Sequence, residues 1–270
     1  MKLATDWDGV PRPGRPVLAL LHGLMGSRQS WAPVRDGLRA LGATVALELI
    51  GHGRSPAPDD PQAYRMDACL DQLEAAWRGL ALPPAWWVGY SMGGRVALQL
   101  AVRRPHLVAG LVLESATPGL EGETARAERQ TADEARAEAL LANGVEAFVD
   151  DWLAGPLFAG LAGLPAPQRE AQRALRLKNS AAGLAGCLRG MGTGAMEPVW
   201  QRLGEVEVPV LVMAGEKDEK FCAIARRMAE ALPRASLTIL PGVGHTLHAE
   251  APAAYLAALG EFFEGVEPNT

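Results

Sequence analysis

Short, largely apolar runs recur along the chain at Val17 to Leu21, Thr44 to Leu49, Trp86 to Gly89, Leu111 to Leu113, Val210 to Met213 and Leu237 to Leu240. Periodicity alone does not separate a buried strand from a short buried helix, so their surroundings decide. Between them lie amphipathic segments, Asp67 to Leu80, Met92 to Arg103, Phe221 to Leu232 and Pro252 to Phe263, with apolar residues on one face. That alternation predicts an α/β protein with a mostly parallel central sheet covered by helices on both faces.

One interval breaks the rhythm. From Gly119 to about Met196 the chain is rich in Ala, Leu, Arg and Glu at helical spacing, with no convincing strand. Because the strand and helix rhythm resumes from Val210 to Phe263, residues 119–196 read as a helical insertion within a single domain spanning 1–270. Its expected place is a cap over the carboxyl ends of the strands, where open α/β sheets hold their sites.

Composition narrows the function classes. The chain has 270 residues, 49% of them hydrophobic, enough to bury a sizeable core. A net charge of −5 and the lack of any Lys/Arg run argue against a nucleic-acid partner. Its three cysteines, Cys69, Cys187 and Cys222, are far apart and have no metal-ligand spacing. With a polar start from Met1 to Val10 and no bilayer-length apolar stretch, they point to the cytosol without membrane insertion. No phosphate loop, dinucleotide fingerprint or His-Glu-x-x-His is present, so no metal and no cofactor are expected. Nothing in the chain predicts an oligomeric state.

The strongest chemical signal is Gly89-Tyr90-Ser91-Met92-Gly93, directly after one predicted strand and opening a helix. In that setting Gly-x-Ser-x-Gly places serine on a sharp turn with its hydroxyl over the sheet edge, at a helix amino end that favours developing negative charge. Outside that setting the pattern would be a common accident. His22-Gly23-Leu24-Met25-Gly26 follows the first apolar run, where a loop amide can complete an oxyanion hole. Leu24 and Met92 are the expected backbone donors, and their side chains are free to vary.

Asp218 follows the Val210 to Met213 run, and His245 follows the Leu237 to Leu240 run, in Gly242-Val243-Gly244-His245. Asp218 would orient an imidazole and His245 would take the proton of Ser91. Glu216 is the alternative acid and His248 the alternative base. His52 and Ser55, in Gly51-His52-Gly53-Arg54-Ser55, read as architectural, and His106 and His248 lack a setting comparable to that of His245.

The serine, acid, histidine order is that of the α/β-hydrolase fold, a scaffold that hosts many reactions. The inserted interval discriminates among them. Thr117-Pro118-Gly119-Leu120, Arg126-Ala127-Glu128-Arg129-Gln130, Phe148-Val149-Asp150-Asp151-Trp152, Pro156-Leu157-Phe158 and Leu175-Arg176 join Gly89 to Arg95 and Asp218-Glu219-Lys220-Phe221. Together these blocks closely resemble the 2-succinyl-6-hydroxy-2,4-cyclohexadiene-1-carboxylate synthases of menaquinone biosynthesis, over nearly the whole chain.

The resemblance implies a lyase that removes pyruvate from a small tricarboxylate, 2-succinyl-5-enolpyruvyl-6-hydroxy-3-cyclohexene-1-carboxylate, with the triad acting as a base. It also implies that Arg95, Arg129 and Arg176 bind carboxylates while Tyr90 and Trp152 shape the pocket. Arginine suits that task, because its guanidinium binds carboxylate as a bidentate fork and stays charged. Two positions depart from the family: Leu24 stands where an aromatic is frequent, and Ile50 where proline is common.

Overall fold

In the computed structural model, which describes residues 1–12 and 14–266, the chain builds one seven-stranded sheet. The strands are β1 (Thr5–Asp8), β2 (Val17–Leu21), β3 (Ala43–Leu47), β4 (Ala85–Tyr90), β5 (Val108–Glu114), β6 (Val210–Gly215) and β7 (Ala235–Leu240). Their order is β1-β3-β2-β4-β5-β6-β7, with β1 antiparallel to β3 and every other pairing parallel.

The helices are α1 (Arg35–Leu41), α2 (Met66–Gly79), α3 (Met92–Arg103), α4 (Glu123–Ala154), α5 (Ala166–Arg176), α6 (Ala181–Met191), α7 (Glu219–Ala231), α8 (Leu247–Glu250) and α9 (Pro252–Gly265). Strand residues alternate between two cores, as the two-residue period requires. Val17, Ala19 and Leu21 face one core with α2, α3 and α7, while Leu18 and Leu20 face the other with α1 and α9. Adjacent tryptophans mark the division. Trp87 packs on Trp77 of α2 at 5.1 Å between ring centres, and Trp86 packs on Phe263 of α9 at 4.8 Å.

The predicted runs fall within one to three residues of the strands, β2 matching at both ends. β1 is the strand the apolar pattern does not reveal. Its sequence, Thr-Asp-Trp-Asp, is polar because the strand lies at the sheet edge and needs little apolar cover. α4, α5 and α6 leave the sheet after β5 and return before β6. α4 is broken at Gly144, whose φ of 83° and ψ of 171° no helix accommodates.

Candidate active site

Ser91 lies between the last residue of β4 and the first of α3, with φ 51° and ψ −107°. A side-chain-bearing residue at positive φ is strained, and close packing around it maintains the turn. A Cβ on Gly93 would fall 2.1 Å from the Leu21 carbonyl oxygen, and one on Gly89 would fall 2.5 Å from the Gly93 carbonyl oxygen. The two glycines of the motif are therefore a steric condition for presenting Ser91.

The hydroxyl meets the residues that the chain order proposed. Ser91 Oγ lies 3.1 Å from His245 Nε2, and His245 Nδ1 lies 2.6 Å from Asp218 Oδ2. Beside an ionised Asp218 the imidazole carries its proton on Nδ1 and donates it to the carboxylate, so Nε2 accepts from the serine. The other oxygen, Asp218 Oδ1, accepts from Phe221 N at 3.3 Å, which caps α7 and holds the acid in place. Phe221, 4.7 Å from His245 between ring centres, and Phe158, at 6.0 Å, shield the imidazole, which is 1% exposed.

The rivals are engaged elsewhere. Glu216 accepts from Gly242 N at 2.8 Å. His248 has a defined setting, contrary to the expectation from sequence: Nδ1 is 2.8 Å from Glu114 in a fully buried pair, between Trp31 and Tyr90. The sequence conceals this because the partners are 134 positions apart.

His22 and His52 hold loops. Their Nε2 atoms accept from Leu49 N and Met25 N, each at 3.1 Å. Burial holds both imidazoles well below the usual histidine range, His22 to about 4 and His52 to about 3. Ser55 donates to the Glu48 carbonyl at 2.6 Å. His106, exposed, lies 3.1 Å from Glu74.

A cavity of about 420 Å³ opens over Ser91. Leu24 and Met92 form part of its wall beside the hydroxyl. As the first residue of α3, Met92 has an N–H without an intrahelical acceptor, and among the described residues no hydrogen bond uses the Leu24 N–H. Arg95, Arg129, Arg136 and Lys220 bring cations to the wall, against the single carboxylate of Asp151. An acidic chain thus places four cations on one wall, two of them paired with Asp133 behind it.

The guanidiniums differ in how they are held. Arg95 bonds Thr193 Oγ1 at 2.7 Å and makes no salt bridge among the described residues. Burial, with Arg129 nearby, lowers its pKa to about 10, which leaves it charged at neutral pH. Arg129 Nε donates to both oxygens of buried Asp133 at 2.8 Å, and Arg136 shares that carboxylate. Trp152 is in the wall, and its buried Nε1–H has no acceptor among the described residues.

Two expected pocket residues stand one layer back. Arg176, 5% exposed, lies over Phe158 at 5.8 Å and, among the described residues, bonds only Gln172, with Nε unpartnered. Tyr90 is behind His245, its hydroxyl 2.8 Å from Thr246 Oγ1. Tyr90 belongs to β4 and points into the core below the turn, so Phe158 and Phe221 take the wall positions. Arg136 went unnoticed in the sequence, although its spacing from Arg129 and Asp133 places all three on one helix face.

Among the described residues no group of three or more His, Cys, Asp or Glu is placed to hold a metal ion, and no helix is long and apolar enough to cross a membrane.

A serine on a strand-to-helix turn, with acid and histidine on later strand ends of a mostly parallel sheet, defines an α/β-hydrolase-fold protein, and the alpha/beta hydrolase fold family matches residues 16–252. A Bacillus subtilis (strain 168) protein named provisionally as a 2-succinyl-6-hydroxy-2,4-cyclohexadiene-1-carboxylate synthase is 39% identical over 96% of this chain and 94% of its own. The synthase of that name from Salmonella paratyphi C (strain RKS4594) is 33% identical over 93% of this chain and 94% of its own. Among solved structures, MenH from S. aureus superposes with a TM-score of 0.92 at 32% identity, covering 96% of this chain and 97% of that one. The chain belongs to the 2-succinyl-6-hydroxy-2,4-cyclohexadiene-1-carboxylate synthase family of α/β-hydrolase-fold enzymes. An enol-lactonase from Burkholderia xenovorans LB400, at 21% identity and a TM-score of 0.83, shares the fold.

Proposed function

We propose that this chain eliminates pyruvate from 2-succinyl-5-enolpyruvyl-6-hydroxy-3-cyclohexene-1-carboxylate in the cytosol, with Ser91, His245 and Asp218 as a composite base. The observation that carries the reading is the pairing of a strained, histidine-bonded serine with a cavity wall of four cations, one of them an arginine with no carboxylate partner among the described residues. A buried charge without a counter-ion is costly, and a tricarboxylate ligand supplies the missing partner.

His245 takes the Ser91 proton, Asp218 stabilises the imidazolium, and Ser91 Oγ removes the proton next to the succinyl ketone. The carbon–hydrogen electron pair moves into the ketone, whose oxygen becomes an enolate held by the Leu24 and Met92 amides. Each such donor is worth about 3 kcal/mol of transition-state stabilisation. Collapse of the enolate breaks the bond from ring carbon to enolpyruvyl oxygen. The leaving oxygen takes the electron pair and a proton from the imidazolium, and enolpyruvate tautomerises to pyruvate, with no water consumed.

Arg95 and Arg129 hold carboxylates at the wall, joined by Arg176 from behind Phe158. Trp152 offers its free N–H, and Tyr90 fixes the loop of His245 through Thr246. Helices α4 to α6 serve as the cap that excludes water, a condition for elimination to outrun hydrolysis.

The test is to follow pyruvate release and diene absorbance together, with Ser91→Ala and Arg129→Ala beside the parent. Both products from the parent, and neither from Ser91→Ala, are expected. Ser91-dependent cleavage of simple esters without pyruvate release above the spontaneous rate would replace this reading with a hydrolase.

A further inference from the structure

The loop that presents His245 is held by its backbone. Gly244 N donates to Glu250 Oε2 at 2.7 Å, and Thr246 N donates to Glu250 Oε1 at 2.9 Å. One carboxylate therefore grips the residue on either side of His245. Between these two bonds, the His245 carbonyl accepts from Ser115 Oγ at 2.8 Å. The polar backbone groups of the turn are thus directed, and the imidazole between them has its line to Asp218 and Ser91 set from behind.

The same carboxylate touches the inserted segment. The 3-10 turn Pro156–Gly163 carries Phe158 against the His245 ring, and it passes so close to Glu250 that a Cβ on Gly160 would lie 2.1 Å from Oε2. Only glycine lets that turn rest there without displacing the carboxylate. A carboxylate gripping two backbone amides is also a rigid part, because ionised acceptors make stronger and more directional bonds than neutral ones.

We infer that Glu250 is a positioning residue for His245, and that through Gly160 the seating of segment 156–163 bears on the alignment of the base. Glu250 touches no reacting atom. It acts through the loop, and a base misaligned by a fraction of an ångström loses rate while substrate binding at the arginines is unchanged. The inference rests on the lyase reading for its kinetic arm alone.

The experiment compares Glu250→Gln, Gly160→Ala, Glu250→Ala and the Gly160→Ala/Glu250→Ala double variant with the parent. Glutamine keeps one acceptor oxygen but turns an N–H donor toward a backbone N–H. The readouts are kcat and KM for pyruvate release, circular dichroism with thermal melting, and the proton NMR signal of His245 Nδ1–H, assigned by its loss in His245→Gln.

Glu250→Gln is expected to stay folded, keep KM within about twofold and lose about ten- to a hundredfold in kcat. Its Nδ1–H signal should broaden or vanish. Gly160→Ala should lower kcat when Glu250 is present and have little further effect in Glu250→Ala, a non-additivity that a merely structural glycine would not give. An Nδ1–H signal and a kcat in Glu250→Gln equal to the parent's, or a kcat loss matching the unfolded fraction, would overturn the inference. If the parent releases no pyruvate, the lyase reading fails and the NMR comparison still decides the positioning role.

Discussion

Acid should weaken this protein through two histidines that take no part in the proposed chemistry. His22 and His52 are fully buried, their rings 4.8 Å apart. Each Nε2 accepts from a backbone amide, so each ring is neutral with its proton on Nδ1, directed at the Gly23 and Ile50 carbonyls respectively. Protonating Nε2 would set two donors against each other in a fully buried site. Burial first, and for His52 the neighbouring His22 second, lower the pKa from 6.5 to about 4 and about 3.

Both folded values lie below the unfolded one, which fixes the sign. Above pH 6.5 neither state binds the proton and stability is unaffected; as pH falls from 6.5 toward 4 the unfolded chain takes up protons that the native state refuses. At pH 5 each histidine costs about 2 kcal/mol, so the two together cost about 4 kcal/mol, a large part of an ordinary domain's stability.

Urea unfolding from pH 7.5 to 5 measures this, in the parent, in His22→Gln, in His52→Gln and in the double variant, where the amide reproduces an acceptor and a donor without titrating. Between pH 6 and pH 5 the parent should lose about 2 to 2.5 kcal/mol more than the double variant, and each single variant should recover about half of that. Equal pH slopes in all four proteins would refute the reasoning. The consequence reaches the site, because Met25 N, held by His52, anchors the loop that carries the Leu24 amide.

Glu114→Ala leaves the buried Nδ1–H and backbone N–H of His248 without their acceptor and should cost about 1 to 3 kcal/mol in urea unfolding at pH 7.5. Gly93→Ala drives a Cβ into the Leu21 carbonyl and should cost at least about 3 kcal/mol or yield no soluble protein. Gly79→Ala, with no atom within 4 Å at the end of α2, should instead gain up to about 1 kcal/mol in the same assay. Arg129→Met should raise KM for the tricarboxylate by about ten- to a hundredfold with a smaller change in kcat, read from pyruvate release at fixed ionic strength.

The sequence disclosed what is local and what repeats. β2 and α3 could be bounded to the residue, because apolar runs and helical spacing are set by immediate neighbours. The chain order of Ser91, Asp218 and His245 was legible for the same reason, each standing just past a strand. What stayed hidden depends on distant partners. β1 is defined by its pairing with β3 and not by any pattern of its own, and the His248–Glu114 pair joins α8 to β5. Glu250 gave no signal, since it recognises backbone N–H groups that every residue but proline carries. The layering of Arg176 behind Phe158 is a matter of packing, which spacing along α5 does not encode.

The two halves of the site come from different parts of the chain, and this bears on which reaction the triad can perform. Ser91, Asp218, His245 and the Leu24 and Met92 amides all follow strands of the sheet, whose register fixes their mutual distances. Arg129, Arg136, Trp152 and Phe158 come from the inserted helices and the turn between them. A serine so placed is equally suited to attack a carbonyl or to abstract a proton; the ligand pose and the supply of water decide between them. The insertion brings Arg129 and Arg136 to the cavity wall and Phe158 over His245, while Arg95 and Phe221 come from α3 and α7 beside the sheet. Substitutions in the sheet-borne half should therefore abolish any reaction at Ser91, whereas loosening the insertion should lose elimination first and leave hydrolysis of small activated esters intact.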